Sequence, residues 1–190
     1  FPNVSYSCIE NKAKIVCDLI TNDKVVGHFS GKMEFGPRAL GHRSILYHPC
    51  DRSVNDWLNK RMSRTEFMPF APIIPIELAE RCFVGWKSDH VAAQFMTLTY
   101  NCTDWFAQQC PAVTHIDGTA RPQIVSKESD PEIHDILTEY FGRTGIPALI
   151  NTSFNNHEEP IVEKPSDAVE VLLSKSIDAL VIGNYVATTT

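Results

Sequence analysis

Gly31-Lys32-Met33-Glu34-Phe35-Gly36-Pro37-Arg38-Ala39-Leu40-Gly41-His42-Arg43-Ser44 lies between two short apolar runs, Val25 to Phe29 and Ser44 to Tyr47. Those runs predict two buried strands, with this segment as their connection. Three glycines and a proline in a connection call for unusual backbone angles and permit close approach by another group. Such a loop can turn main-chain N–H groups toward an anion, and Lys32, Arg38 and Arg43 add fixed positive charge. The segment reads either as a phosphate-handling loop or as a tight strand connection whose arginines pair with surface carboxylates.

Outward from this loop, strand and helix patterns interleave. Phe1 to Ser7 reads as the tail of a linker. Ile9, Ala13, Val16, Cys17 and Ile20 recur at helical spacing, which predicts an amphipathic helix ending near Asn22. Ser53 to Met62 predicts a second helix. Phe67 to Pro75 holds three prolines and predicts an extended buried segment. A short helix over Ile76 to Phe83 and a loop over Gly85 to His90 follow. Val91 to Tyr100 is apolar and β-branched enough for a strand, and polar Asn101 to Gln109 reads as loop. Ala112 to Ile116 and Ala120 to Val125, flanking Asp117-Gly118-Thr119, read as the two arms of a hairpin. Asp130-Pro131 opens a helix with a capping residue and a first-turn proline, which Gly142 or Gly145 stops. Ala148 to Asn151 is a strand, Pro165 opens the last helix, and Ala179 to Ile182 is the final strand. The expected class is α/β (α+β), one domain built on a mixed sheet flanked by helices.

The chain has 190 residues, 43 % of them apolar, with a net charge of −6. That length supports one ordinary core. No apolar run approaches the roughly 18 residues of a membrane span, and no signal peptide is visible. The six cysteines form no C-x-x-C pair, which points to reduced thiols in a cytoplasm rather than a zinc or redox site. The N-glycosylation sequons at Asn3, Asn101 and Asn151 are then incidental. Residues 32 to 64 hold seven Lys and Arg against three Asp and Glu, a balance of +4, so the remainder carries −10. A local basic patch on an acidic chain suits a small anionic ligand better than a nucleic acid.

Four polar groups stand at predicted strand or helix ends, where open sheets bind ligands. They are the Gly-Pro-Arg loop; the basic run Asn59 to Glu66; His115, Asp117 and Arg121 on the hairpin; and Asn151 to Asn156. Each has a plain structural alternative: helix-dipole complement for the second, hairpin closure for the third, turn formation for the fourth. No Walker loop, dinucleotide fingerprint, nucleophile elbow or histidine pair with metal spacing is present. A nucleotide would therefore be held by arginines and backbone, in a reaction run by positioning and charge neutralisation.

Met33 to Gly41 with Arg43-Ser44 resembles the C-terminal region of NodU/CmcH-type O-carbamoyltransferases. So do Pro69-Phe70-Ala71-Pro72, His115-x-Asp117-Gly118-Thr119-Ala120-Arg121, Asn151-Thr152-Ser153-Phe154-Asn155, Glu159-Pro160-Ile161-Val162 and Asp178-Ala179-Leu180. The match runs in order over nearly the whole chain. It implies a YrdC-like twisted mixed sheet over residues 9–190, with 1–8 as a linker remnant and an N-terminal metal-containing domain absent. It implies that this domain condenses carbamoyl phosphate with ATP into carbamoyl-adenylate, and that the absent domain passes the carbamoyl group to an acceptor hydroxyl.

By the same resemblance Arg38 and Arg43 are loop cations near phosphates, and Lys60 or Arg61 meets the substrates. Arg121 contacts the phosphate-bearing substrate. Ser153 with Asn151 holds nucleotide phosphates or the carbamoyl group, and His115, Asp117, Thr119 and Asn155 complete the substrate and nucleotide site. The catalytic set is Arg38, Lys60, Arg121 and Ser153. Mg2+ is expected with ATP, no metal site is expected within the chain, and neither nucleic acid nor membrane is an expected partner. The chain departs from the family at Met68, where an arginine commonly precedes Pro-Phe-Ala-Pro, and Arg64 is a candidate to replace that charge. His42 stands where asparagine is frequent. Two other functions compete: a docking or regulatory domain without turnover, and an RNA-binding module.

Overall fold

The computed structural model describes residues 1–63, 69–156 and 159–190. Arg64 and the start of the Phe67–Pro75 segment lie outside the described residues. In chain order the elements are β1 (Val4–Cys8), α1 (Lys12–Thr21), β2 (Val26–Phe29), β3 (Arg43–Tyr47), α2 (Val54–Arg61), β4 (Ala71–Pro75), α3 (Ala79–Cys82), β5 (Tyr100–Asn101) and α4 (Asp104–Gln109). There follow β6 (Thr119–Ala120), β7 (Gln123–Val125), α5 (Pro131–Thr144), β8 (Leu149–Ser153), α6 (Pro165–Leu173), β9 (Ala179–Ile182) and β10 (Tyr185–Thr189).

Eight strands form one mixed sheet in the order β1-β10-β9-β2-β3-β8-β4-β7. β2 runs parallel to β9 and antiparallel to β3, and β3 is antiparallel to β8. β2, β9 and β8 therefore all finish at the same end of the sheet, beside the 31–42 loop. Alternation along each strand sends side chains to two cores. Ile45, Ile74, Ile124, Ile150 and Leu180 pack with α2 and α6 on one face. Val26, Leu46, Ile73, Val125, Leu149 and Val181 pack with α1 and α5 on the other. α1 starts on an Asn11 side-chain cap, and α5 on an Asp130 cap with Pro131 in its first turn; Gly145, left-handed at φ 72°, ends α5.

Several sequence expectations change. Val4–Cys8, read as linker, is the outer strand of the sheet and pairs with β10, which the sequence pattern had not shown. Its side chains are mostly exposed, so it lacks the apolar alternation that marks a half-buried strand. Val91–Phe95 is a 3-10 turn rather than a strand, ended by left-handed Met96. Asp104–Gln109 is a helix capped by Thr103, where a loop was expected. The hairpin dissolves: Pro111–Val113 is a 3-10 turn, β6 pairs with β5, and β7 joins the main sheet parallel to β4. Proline is the cause at both ends. Pro111 sits at the first position of the 3-10 turn, and Pro122, lacking an N–H, separates β6 from β7.

Candidate functional site

The polar end of the sheet is built by the same alternation that builds the α1–α5 core. His28, Ser44, Asn151 and Gln123 share the face of Val26, Leu46, Leu149 and Val125, but lie nearer the strand ends where the helices stop covering it. All four are buried, because the 31–42 loop covers them in place of a helix. His28 Nδ1 lies 2.6 Å from the Gly41 carbonyl oxygen. Asn151 Nδ2 donates to the Ala39 carbonyl at 3.1 Å and to Gln123 Oε1 at 2.8 Å, and Gln123 Nε2 donates to the Leu40 carbonyl at 2.6 Å. Two side-chain amides thus tie the loop to β8 and β7.

The main-chain amides at the C-terminal end of the loop are already committed, Gly41 N to Ser44 Oγ at 2.9 Å. Glu34 Oε1 accepts from the N–H groups of Leu40, His42 and Arg43 at 2.7, 2.8 and 3.1 Å. The anion that these three N–H groups hold is a side chain of the loop itself. Glycine is required at one position in particular. Gly41 has φ +117°, and a Cβ there would sit 2.7 Å from Ile133 Cγ1 of α5.

The start of α5 braces the loop from below. His42 Nε2 lies 3.0 Å from Asp130 Oδ2 and its Nδ1 2.9 Å from the Lys32 carbonyl. The Asp130 hydrogen bond, against an opposing push from burial, raises the His42 pKa to about 9. His42 is thus protonated at neutral pH. Burial alone would raise the Asp130 pKa, but His42 and the Ile133 N–H leave it lowered. Glu132 joins buried His28 at 3.1 Å and also Lys12. Desolvation opposes ionisation of Glu132, but the hydrogen bonds from His28, Lys12 and Ser30 overcome it and leave its pKa strongly lowered.

Against this frame the arginines separate. Arg43 is 4 % exposed, lies 3.5 Å over the Phe29 ring and donates to the carbonyls of Ser30, His42 and Gly31. It stiffens the loop from the opposite face and presents no free edge to a ligand. Arg61 makes a two-pronged bond to Asp178 at 2.9 and 2.8 Å and donates to the Lys175 carbonyl. Asp178 precedes β9, so Arg61 lies at the end of the sheet opposite the loop. Lys60, beside it at the end of α2, is exposed there. The structure does not bring Lys60 and Arg61 to the loop.

Arg38, exposed on the loop, and Arg121, just ahead of β7, stand on neighbouring segments: Gln123, two residues after Arg121, donates to the carbonyl of Leu40, two residues after Arg38. Burial lowers the Arg121 pKa, and the positive charge of Arg38 lowers it further. Among the described residues neither guanidinium meets a carboxylate, and Arg121 Nε is buried without a hydrogen-bond partner. Ser153 ends β8 at this same end of the sheet. Its hydroxyl donates to Asn155 Oδ1 at 2.6 Å, and Asn155 Nδ2 donates to the Glu159 carbonyl. His115, Asp117 and Thr119 close a local turn: Thr119 donates through N and Oγ1 to Asp117 Oδ1, and its hydroxyl lies 3.0 Å from His115 Nδ1. The Thr119 hydroxyl first, then its N–H, lower the Asp117 pKa. A cavity of about 600 Å³ opens between α2 and this turn, its largely apolar surface lined by Pro111, Ala112 and Ile116 together with Asp56, His115 and Asp117.

Sequence reading missed Glu34 as an internal anion, Gln123 as a tether, and the pairing of His28 and His42 with α5. A lone acid inside a basic loop, and a polar side chain starting an otherwise apolar strand, were the available signals.

A mixed sheet with helices on both faces and a polar loop over one end is the YrdC-like fold. Full-length HypF in its phosphate- and nucleotide-bound form shares this fold at a TM-score of 0.61, with 15 % identity, over 94 % of this chain and 22 % of that one. The Sua5 protein of P. abyssi, complexed with L-threonine, does so at 0.62 with 12 % identity, over 91 % and 47 %. The model of the carbamoyltransferase C-terminus family matches residues 17–189, and the chain belongs to that family. It is 38 % identical to nodulation protein NolO of Bradyrhizobium diazoefficiens over 91 % of this chain and 32 % of that protein. It is 37 % identical to the uncharacterized protein MJ1051 of Methanocaldococcus jannaschii over 90 % of this chain and 33 % of that one. The chain thus spans about a third of the length of the curated relatives it matches. Among the described residues no helix is long and apolar enough to cross a membrane.

Proposed function

We propose that this carbamoyltransferase domain activates carbamoyl phosphate with Mg2+-ATP, forming carbamoyl-adenylate for transfer to an acceptor hydroxyl by a preceding domain in a cytoplasmic enzyme. In balanced form, carbamoyl phosphate, ATP and water give carbamoyl-adenylate, phosphate and pyrophosphate. Water cleaves carbamoyl phosphate to carbamate and phosphate. A carbamate oxygen then bonds to the α-phosphorus of ATP, and the bond to the pyrophosphate oxygen breaks. The observation that carries this reading is that Arg38 and Arg121 stand on two segments joined by the Gln123–Leu40 hydrogen bond, with neither meeting a carboxylate among the described residues and Arg121 Nε buried without a partner. Such a pair is unfavourable by itself and becomes favourable when an anion lies between its members. Two anionic substrates repel each other, so their approach needs fixed cations, and the chemistry asks the protein mainly for positioning and charge.

In this reading Arg38 and Arg121 span the phosphates, and Ser153 and Asn155, hydrogen-bonded to each other, stand beside them at the end of β8. The cavity beside His115 and Asp117 lies within the size range of small-ligand sites, and its apolar wall suits a nucleoside. Asn151 acts by holding the loop, and Lys60 and Arg61 have no part. The test is pyrophosphate release from ATP, Mg2+ and carbamoyl phosphate. Release that stops when carbamoyl phosphate is omitted supports the reading. ATP binding without release points to a site closed only by a preceding domain, and neither binding nor release leaves a docking domain. The net charge of −6 disfavours the RNA-binding alternative; tight, salt-sensitive RNA binding would reinstate it.

A further inference from the structure

We infer that Gln123 is a positioning residue that fixes the spacing of Arg38 and Arg121, and so sets the affinity of the site for a phosphate-type anion. The inference rests on the reading of those two arginines as the anion site.

Gln123 is 4 % exposed and stands two residues after Arg121. Its Nε2 donates to Leu40 O, two residues after Arg38, while its Oε1 accepts from Asn151, whose Nδ2 also donates to Ala39 O. One buried amide therefore links the chain carrying one cation to the chain carrying the other, with Asn151 triangulating from β8. Glu34 closes the loop on the far side of Arg38 by accepting from Leu40 N, so the Pro37-Arg38 apex is pinned at both feet. Like charges drive Arg38 and Arg121 apart when no ligand is present, and this tether opposes that separation. Cations held in place by such a tether bind an anion without first being gathered, which is the advantage of a preorganised site. Gln123 need not touch the anion.

The test is a double-mutant cycle read by calorimetric binding of inorganic pyrophosphate to the full chain. Gln123→Met keeps the volume and removes both hydrogen bonds. It is expected to weaken pyrophosphate binding on the order of tenfold, since displacing a group by about 1 Å costs effects of this size or larger. In an Arg38→Ala background the same substitution is expected to change affinity less than twofold, because the cation it positions is gone. A general structural role would instead weaken binding equally in both backgrounds. That result, or no effect of Gln123→Met on the unaltered chain, overturns the inference and leaves the anion reading intact. Should Gln123→Met fail to fold, Gln123→Ser, with room for a bridging water, carries the same cycle. If Arg38→Ala and Arg121→Ala each leave pyrophosphate affinity unchanged, the anion site and this inference fall together.

Discussion

The two ends of the sheet treat arginine in opposite ways. At the end where β2 and β9 begin, Arg61 meets Asp178 through two bonds, and Asp178 also accepts from the Val25 N–H. Charge there is balanced and the contact joins α2 to the sheet. At the end where β2, β8 and β9 finish, Arg38 and Arg121 stand on segments that Gln123 joins, and neither meets a carboxylate among the described residues. Arg43 shows a third outcome, since its guanidinium is consumed by carbonyls and a phenyl ring. The residue type is constant, and the supply of partners decides whether an arginine braces the fold or is left without an acid.

The sharpest way to break this contrast is to remove cations from each end. Arg38→Ala or Arg121→Ala should each lower carbamoyl-phosphate-dependent pyrophosphate release by roughly 100-fold or more, the scale of losing a charged transition-state contact. Thermal unfolding of either variant should stay close to that of the unaltered chain. Arg61→Ala should leave the rate within about twofold. Equal losses at both ends would refute the division.

The inverse experiment removes the acid from the balanced end. Asp178→Ala strands a part-buried Arg61 and the Val25 N–H, and should cost about 1–2 kcal/mol of stability. For a chain of this size that is a fall of roughly 2–8 °C in Tm. Pyrophosphate affinity should not move. An affinity loss without a Tm change would mean that the opposite end of the sheet reports on the site.

The smallest effect is expected from pH. His42 holds a folded pKa of about 9, above the ordinary histidine value, so its contribution to the loop is complete below about pH 6.5. It fades as pH rises through about 9. Amide exchange of the 31–42 loop should accelerate over that window. Asp130→Asn retains a residue suited to capping α5 and should bring the His42 titration back toward 6.5, as a ring-proton NMR titration would show. A titration that stays near 9 would mean that Asp130 is not the cause.

Much of this architecture is legible from local pattern. The strands at Val26, Arg43, Leu149 and Ala179 follow from short apolar runs, and α1, α2, α5 and α6 from helical spacing with recognisable starts. The expectations around residues 91–125 fail because apolar, β-branched content there serves packing on the α2 face, while prolines cut the backbone pairing. β1 escapes notice because its side chains are mostly exposed at the edge of the sheet, and β10, paired between β1 and β9, because only Ala187 among its residues is buried. At the site, order along the chain indicates family, loop and polar clusters, including both arginines of the pair.

Which arginine is left unpaired is a different kind of fact. Sequence alone determines that the Gly31–Ser44 segment is a basic connection between buried strands, because side-chain size, charge and backbone freedom are properties of nearby residues. Only the tertiary structure decides that Glu34 takes the Leu40, His42 and Arg43 amides, that Asp178 takes Arg61, and that Gln123 ties the loop to β7. Asp178 and Gln123 reach their partners across 117 and 83 residues. Contacts at that separation exist only after the sheet has fixed its strand order, since hydrogen bonds and ion pairs act over a few ångströms of space and have no regard for distance along the chain.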